Sequence, residues 1–352
     1  MPRALVTGAN GHVGSNLVRD LLDHGWDVVP FVRKSSDLTG LSGLDLQMRY
    51  GDILDKESVD AAMEDFDCVF HTAAVYRVWA KDPAEIIRPA LEGSEHVIAA
   101  AGAKGVKRVV YTSSVVAVGP SSSDTPRTAE DWNEGYESPY VTAKTDAERA
   151  SHRLADEHGV EMVVVNPGLV LGQLDYRITP STEGFAAIVS GEGQYLVGGT
   201  NAVSVRDVAT GHRLAAEKGR PGERYILAGP DNVSTKDYHL KVDALTGSSS
   251  QDLTWAPSFV PHVMAFFMEM GAGITGGKPK FTRAMIRDYT TNPYWWFDIE
   301  KSRTELGYEP MGLDEVIAES VSWLVHIGAA PPVRQGALRL KFPPKEWWPA
   351  PK

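Results

Sequence analysis

The chain has 352 residues, 43% of them hydrophobic, and a formal net charge of −11. That length allows one large domain with a smaller companion, and the charge argues against nucleic acid and anionic membrane surfaces, because a polyanion partner needs a basic stripe. Small-molecule chemistry is what stays open.

Read from the N-terminus, Met1-Pro2-Arg3 leads straight into an apolar run, with no charged, apolar and cleavage regions of an export signal. Short β-branched runs then alternate with segments of helical period: Ala4 to Val6, Val28 to Val32, Leu46 to Met48, Cys68 to Phe70, Arg108 to Tyr111 and Glu161 to Val165 as strands. Helices are expected at His12 to Leu22, Lys56 to Met63, Ala84 to Ala101 and Tyr140 to His158. This alternation predicts an α/β fold, a doubly wound parallel sheet of the Rossmann type over residues 1–170. After Pro167 the stretch up to Gly199 reads as loops; Arg206 to Glu217 and Arg224 to Leu227 then read as a last crossover that rejoins the sheet at about 204–229. Residues 171–203 and 230–330 are left for a smaller, mainly helical substrate domain, and 331–352 for an extended tail bearing Pro and Trp. The longest apolar stretch, Phe259 to Met270, is interrupted by Pro261, His262 and Glu269 and is too short for the roughly 20 residues of a membrane span. The lone Cys68 sits in an apolar run and the histidines show no ligand spacing, so neither disulfide nor metal is expected, and a reducing cytoplasm suits the chain.

The first strand runs into Thr7-Gly8-Ala9-Asn10-Gly11-His12-Val13-Gly14 just where a helix starts. Gly8 permits the tight turn, Gly11 lets backbone approach a pyrophosphate and Gly14 allows close helix packing, so this is a dinucleotide-binding turn. At the end of the second strand Val32 stands where an NAD site would place an acid, and Arg33 and Lys34 offer charge to a 2′-phosphate. The expected cofactor is therefore NADP(H). Asp52 either accepts from the adenine amino group or is an ordinary loop carboxylate.

Among the tyrosines, Tyr140 alone has a lysine four residues later, Lys144. On a helix that spacing puts phenol and ammonium on one face, where the cation favours the phenolate and makes the tyrosine a better proton donor. Upstream, the strand through Tyr111 ends in Thr112-Ser113-Ser114, and a serine at the carboxyl end of a parallel strand can hold a carbonyl oxygen. Next to a nicotinamide supplying the hydride, these groups make a carbonyl-reducing set. Trp255, Phe259, Met264, Phe266, Phe267, Met268 and Met270, with Trp295 and Trp296, either pack a core or line a pocket for an apolar or aromatic substrate. Arg206 and Asp207 read as an ion pair or cap, and His71 as a structural histidine.

These motifs together resemble the extended short-chain dehydrogenases/reductases over nearly the whole chain, closest to the dihydroflavonol and cinnamoyl-CoA reductase branch. The resemblance rests on the Thr7 to Gly14 turn, Tyr111 to Ser114, Tyr140 to Ala150, Ile87 to Gly93, and Asn166-Pro167-Gly168. It implies that Ser114, not Ser113, is the catalytic serine beside Tyr140 and Lys144. It further implies that Ile53, Thr72, Ala73, Ala74, Thr112, Pro167 and Gly168 border the cofactor, and it leaves room for a homodimer through the helices from Ala84 and Tyr140. Phe297 to Lys301 and Leu306 to Tyr308 resemble 3β-hydroxysteroid dehydrogenases and nucleotide-sugar epimerases, while His71 to Arg77 and Tyr225 to Gly229 resemble hopanoid-associated epimerases. An NAD-dependent sugar epimerase or dehydratase, a steroid or triterpenoid dehydrogenase, and a non-enzymatic redox sensor are the competing readings. Near Glu92 the asparagine that many members use in a proton relay is missing.

Overall fold

In the computed structural model the described residues are 1–74, 80, 82–121, 125–135, 138–255, 259–275, 282–283, 286–287, 291–331 and 348. Strands β1 (Arg3–Thr7), β2 (Asp27–Val32), β3 (Arg49–Tyr50), β4 (Cys68–His71), β5 (Arg108–Thr112) and β6 (Glu161–Pro167) come first. Short strands β7 (Leu169–Leu171), β8 (Gln194–Tyr195), β9 (Gly199–Thr200) and β10 (Ala202–Ser204) precede β11 (Arg224–Leu227), and β12 (Val233–Ser234) and β13 (Gln251–Asp252) follow it. The helices are α1 (His12–Asp23), α2 (Lys56–Ala62), α3 (Ala84–Ala103), α4 (Pro139–His158), α5 (Pro180–Val189), α6 (Val205–Lys218), α7 (Thr235–Thr246), α8 (Phe259–Thr275) and α9 (Leu313–His326).

Seven strands form one sheet in the order β11-β6-β5-β4-β1-β2-β3, and every pairing in it is parallel. The strands read as unbroken apolar runs because helices cover both faces. In β1 the two-residue period sends Ala4 and Val6 to a layer with Leu17, Val18 and Leu21 of α1 and Val208 of α6. Leu5 goes to the opposite layer with Val59 of α2 and Val97 and Ile98 of α3. Each Val, Leu or Ile among these contributes about 1.5–3 kcal/mol on full burial, which outweighs ordinary differences in helix propensity. A third cluster gathers Phe185 of α5, Tyr238 and Val242 of α7, and Val316, Ile317 and Val321 of α9.

Two expectations are corrected. The third strand is Arg49–Tyr50 rather than Leu46 to Met48, since only Phe31↔Arg49 and Val32↔Tyr50 pair, while Leu44, Leu46 and Met48 turn their side chains onto the core instead. The stretch after Pro167 holds β7 and α5, not loops alone: Pro180 occupies the first helical turn, where no donor is needed, and Glu183 lies in the same turn facing the helix dipole. Of the expected tail only Pro331 and Trp348 belong to the described residues, and Trp348 packs edge-on against Trp323, ring centres 5.2 Å apart.

Candidate active site

The chain leaves β1 toward β2 and β3, then returns on the other side of β1 as β4, so a crevice opens at the carboxyl ends of β1 and β4. The glycine turn fills its floor. Gly8 adopts φ +67°, and a methyl group on it would lie 2.7 Å from the Ala73 Cα just past β4. A methyl on Gly14 would lie 2.8 Å from the Ala9 Cα, so both glycines are needed for chain to meet chain here. Gly11 caps α1, and its N–H bonds the Gly8 carbonyl at 2.9 Å. Because Ser15 N makes the first intrahelical bond, to Gly11 O at 2.9 Å, the N–H groups of His12, Val13 and Gly14 at the helix start remain for an anion. Thr7 ties the turn to β4: its hydroxyl meets His71 Nδ1 at 2.9 Å, and its carbonyl accepts from the Thr72 hydroxyl at 2.7 Å. Asn10 donates to the Asp37 carbonyl at 3.1 Å. The narrowness of this cradle and its backbone donors fit a dinucleotide pyrophosphate.

The His12 ring turns inward, 3.8 Å from Asp175, where burial holds its pKa below the usual value and the Asp175 charge opposes that. Only its backbone therefore faces the cradle. At the end of β2, Val32 is buried, whereas Arg33 and Lys34 are exposed and their side chains make no hydrogen bond or ion pair to a described residue. The Asp52 carboxylate accepts from Leu54 N at 3.1 Å, and the Ile53 carbonyl bonds His96 Nδ1 of α3 at 2.8 Å. Ala74 is exposed past the β4 end, and Gly168 N donates to the Leu227 carbonyl at 3.0 Å, fixing the Pro167-Gly168 corner to β11.

Helix α4 begins with Pro139 in its first turn and presents Tyr140, Lys144 and Glu148 along one face, four residues apart. The Lys144 ammonium donates to the Thr112 carbonyl at 3.3 Å, which sets it at the carboxyl end of β5, two residues from Ser114. Burial holds it down to about 8, against an opposing pull from the Glu148 carboxylate. His71, at the end of β4, is pushed down to about 3, chiefly by burial and then by Lys144, and is neutral. His212 Nδ1 meets the Val208 carbonyl at 2.7 Å and so carries the proton; its Nε2 accepts from the Thr112 hydroxyl at 2.8 Å.

The two serines separate. Ser113 is buried and its hydroxyl donates to Glu148, while Ser114 is half-buried and its Oγ accepts from Val116 N at 3.3 Å. Beneath them lies a charged network that the sequence reading missed. Fully buried Glu148 also accepts from Asn166 Nδ2 at 2.9 Å and from Arg224 Nε at 2.5 Å. Asn166 Nδ2 reaches the Ser114 carbonyl at 3.1 Å, and the Arg224 guanidinium lies 3.9 Å over the Trp132 ring. The signal was available in part: Glu148 follows Lys144 at the same four-residue interval as Lys144 follows Tyr140.

Elsewhere, Arg206 pairs with buried Glu319 at 3.3 Å, and Asp207 accepts from Met311 N at 2.9 Å. Trp255, Phe259, Phe266, Phe267 and Met270 are exposed, Trp255 to 75%, rather than enclosed. Trp296 instead packs against Tyr294, ring centres 4.9 Å apart and tilted by 51°, and Tyr294 pairs its backbone with Ser121, in the loop nine residues after β5. Residues 75–77 of the segment resembling the hopanoid-associated epimerases, and the side chain of Met264, fall outside the described residues. Among the described residues no group of side chains could hold a metal ion, and no helix is long and apolar enough to cross a membrane.

A doubly wound sheet with a glycine cradle at its switch point defines a dinucleotide-binding protein. The NAD dependent epimerase/dehydratase family model matches residues 4–228, and the chain belongs to that family, within the extended short-chain dehydrogenases/reductases. It is 32% identical over 335 residues to a Synechocystis sp. protein carrying the name dihydroflavonol 4-reductase, covering 92% of this chain and 94% of that one. It is also 31% identical to sterol demethylase protein B of Methylococcus capsulatus, covering 91% and 97%. The crystal structure of gox2253 superposes with a TM-score of 0.80 at 30% identity, covering 94% of this chain and all of that one (100%). Over 240 residues it is 36% identical to cinnamoyl-CoA reductase 1 of Arabidopsis thaliana, covering 63% of this chain and 69% of that one, and the reductase names among these relatives support an oxidoreductase.

Proposed function

We propose that the protein is an NADPH-dependent reductase of apolar or aromatic aldehydes or ketones, or catalyses the reverse oxidation. One observation carries this reading: Lys144, bonded to the Thr112 carbonyl, sits at the β5 end beside Ser114 and on the same α4 face as Tyr140. The cradle from Thr7 to Gly14, with Thr72 to Ala74, Thr112, Pro167 and Gly168 around it, would hold the cofactor. Arg33 and Lys34, exposed at the end of β2, would offer their charge to a 2′-phosphate. A bound nicotinamide supplies the two-electron reductant. The Ser114 hydroxyl donates to the substrate oxygen and orients it. Tyr140 passes its proton to that oxygen, and the Lys144 ammonium favours the phenolate left behind. Tyr294, whose backbone pairs with Ser121 downstream of Ser114, and Trp296 packed against it are the candidates for an aromatic wall facing the substrate.

The test is turnover of NADPH with a panel of aromatic, terpenoid and steroid carbonyls. Wild-type protein should reduce at least one, and Tyr140→Phe should lose about 10²–10⁴-fold in kcat. Unchanged turnover in Tyr140→Phe, or no turnover of any member, refutes the reading. NAD that copurifies and does not exchange assigns the epimerase alternative instead.

A further inference from the structure

The buried carboxylate of Glu148 joins four elements of the site. It sits on α4, takes hydrogen bonds from Ser113 at the β5 end and Asn166 of β6, and pairs with Arg224 of β11. Arg224 in turn donates to the Ala129 carbonyl at 2.8 Å and the Asp131 carbonyl at 2.5 Å, so the guanidinium is itself anchored. Burying such a pair contributes little net stability compared with apolar side chains of the same volume, and its presence calls for another reason. Adjacent residues of extended chain point to opposite sides. Holding the Ser113 hydroxyl inward therefore turns the Ser114 side chain the other way, and Asn166 holds the Ser114 carbonyl from below at 3.1 Å.

Resting on the reductase reading above, we propose that Glu148 is a positioning residue that aims Ser114 through Ser113 and Asn166 and keeps Lys144 an ammonium beside Tyr140. Glu148 carries the charge that raises Lys144 against the effect of burial. The other titratable groups around this face are Arg224 from β11, His71 from β4, Tyr111 from β5, His212 of α6 on the Thr112 hydroxyl, and Tyr140 and His152 on α4 itself; burial holds His212 down to about 4 and therefore neutral. Arg149 and the Arg127–Asp131 pair lie at the rim, the latter 3.4 Å apart. Burial holds His71 and His152 neutral and keeps the Tyr111 phenol protonated. That leaves Glu148 as the charge acting on Lys144 inside the site, with Arg224 paired to it.

The experiment compares wild type, Glu148→Gln and Glu148→Asp. Competitive acetylation of Lys144 by acetic anhydride across pH, read by mass spectrometry, reports the lysine's titration without any turnover. In Glu148→Gln the midpoint should fall by about one pH unit, the basic limb of kcat/KM should fall with it, and kcat should drop about tenfold or more. Glu148→Asp, which keeps the charge, should hold the wild-type midpoint. A midpoint in Glu148→Gln that coincides with wild type overturns the proposal. If Glu148→Gln does not fold because Arg224 is left unpaired, Glu148→Gln with Arg224→Gln removes both charges and is read the same way. A wild type that reduces no carbonyl, with a Lys144 midpoint that still moves, refutes the reductase reading alone.

Discussion

Replacing Lys144 by Met should stabilise the protein while abolishing its proposed chemistry. Burial holds the ammonium down to about 8 from an ordinary 10.5, a penalty of about 3 kcal/mol at about 1.36 kcal/mol per unit. The side chain is half-buried, and its bond to the Thr112 carbonyl at 3.3 Å opposes the penalty. Solvent screening and that bond together reduce the expected gain to about 1–2 kcal/mol. Methionine keeps the unbranched stem and fits the same space. The gain also has a pH signature. Below about pH 8 the lysine is protonated in native and unfolded chains alike, and the penalty is complete. As the pH rises from about 8 to 10.5 the native lysine loses its proton first, so the wild type gains stability and the difference from the variant closes. Urea unfolding of both proteins at neutral and alkaline pH measures this. A variant less stable than wild type at pH 7, or a difference that does not change with pH, would refute a desolvated ammonium at this position.

Arg33→Ala should raise KM for NADPH about 10–100-fold and leave KM for NADH nearly unchanged, because it removes charge-assisted bonds to one phosphate only. Equal changes with both nucleotides would count against the 2′-phosphate assignment. Gly14→Ala brings a methyl within 2.8 Å of the Ala9 Cα, and it should cost about 1–3 kcal/mol and weaken cofactor binding, both readable by thermal shift with and without nucleotide. Burial raises the Asp207 carboxyl to about 6 from 3.8, so the native state holds that proton more tightly than the unfolded chain. Its contribution is therefore complete below about pH 4 and lost as the pH rises through about 6. Asp207→Asn should flatten the fall in Tm across that window relative to wild type.

The first half of the fold was legible because a strand buried on both faces must be apolar throughout, as Val109, Val110 and Val163 to Val165 are. Edge pairing left no such mark: β3 needs only Arg49 and Tyr50, and the apolar residues before it serve the core. Helix α5 hid behind a Pro-Ser-Thr-Glu-Gly opening, although Pro180 and Glu183 were start signals. The glycine turn and the Tyr140–Lys144 interval were readable because their chemistry is local in sequence. Glu148 was not, since its partners Asn166, Ser113 and Arg224 lie 18, 35 and 76 positions away and only the sheet order brings them together.

Strand β11 enters beside β6 only after the chain has built β7 to β10, α5 and α6. During synthesis the nucleotide cradle, assembled from residues before 75, can therefore form well before Arg224 emerges to anchor Glu148. The order of emergence puts the glycine turn and its β4 partners ahead of the Arg224 anchor, so a chain stalled between the two would carry Glu148 without its guanidinium.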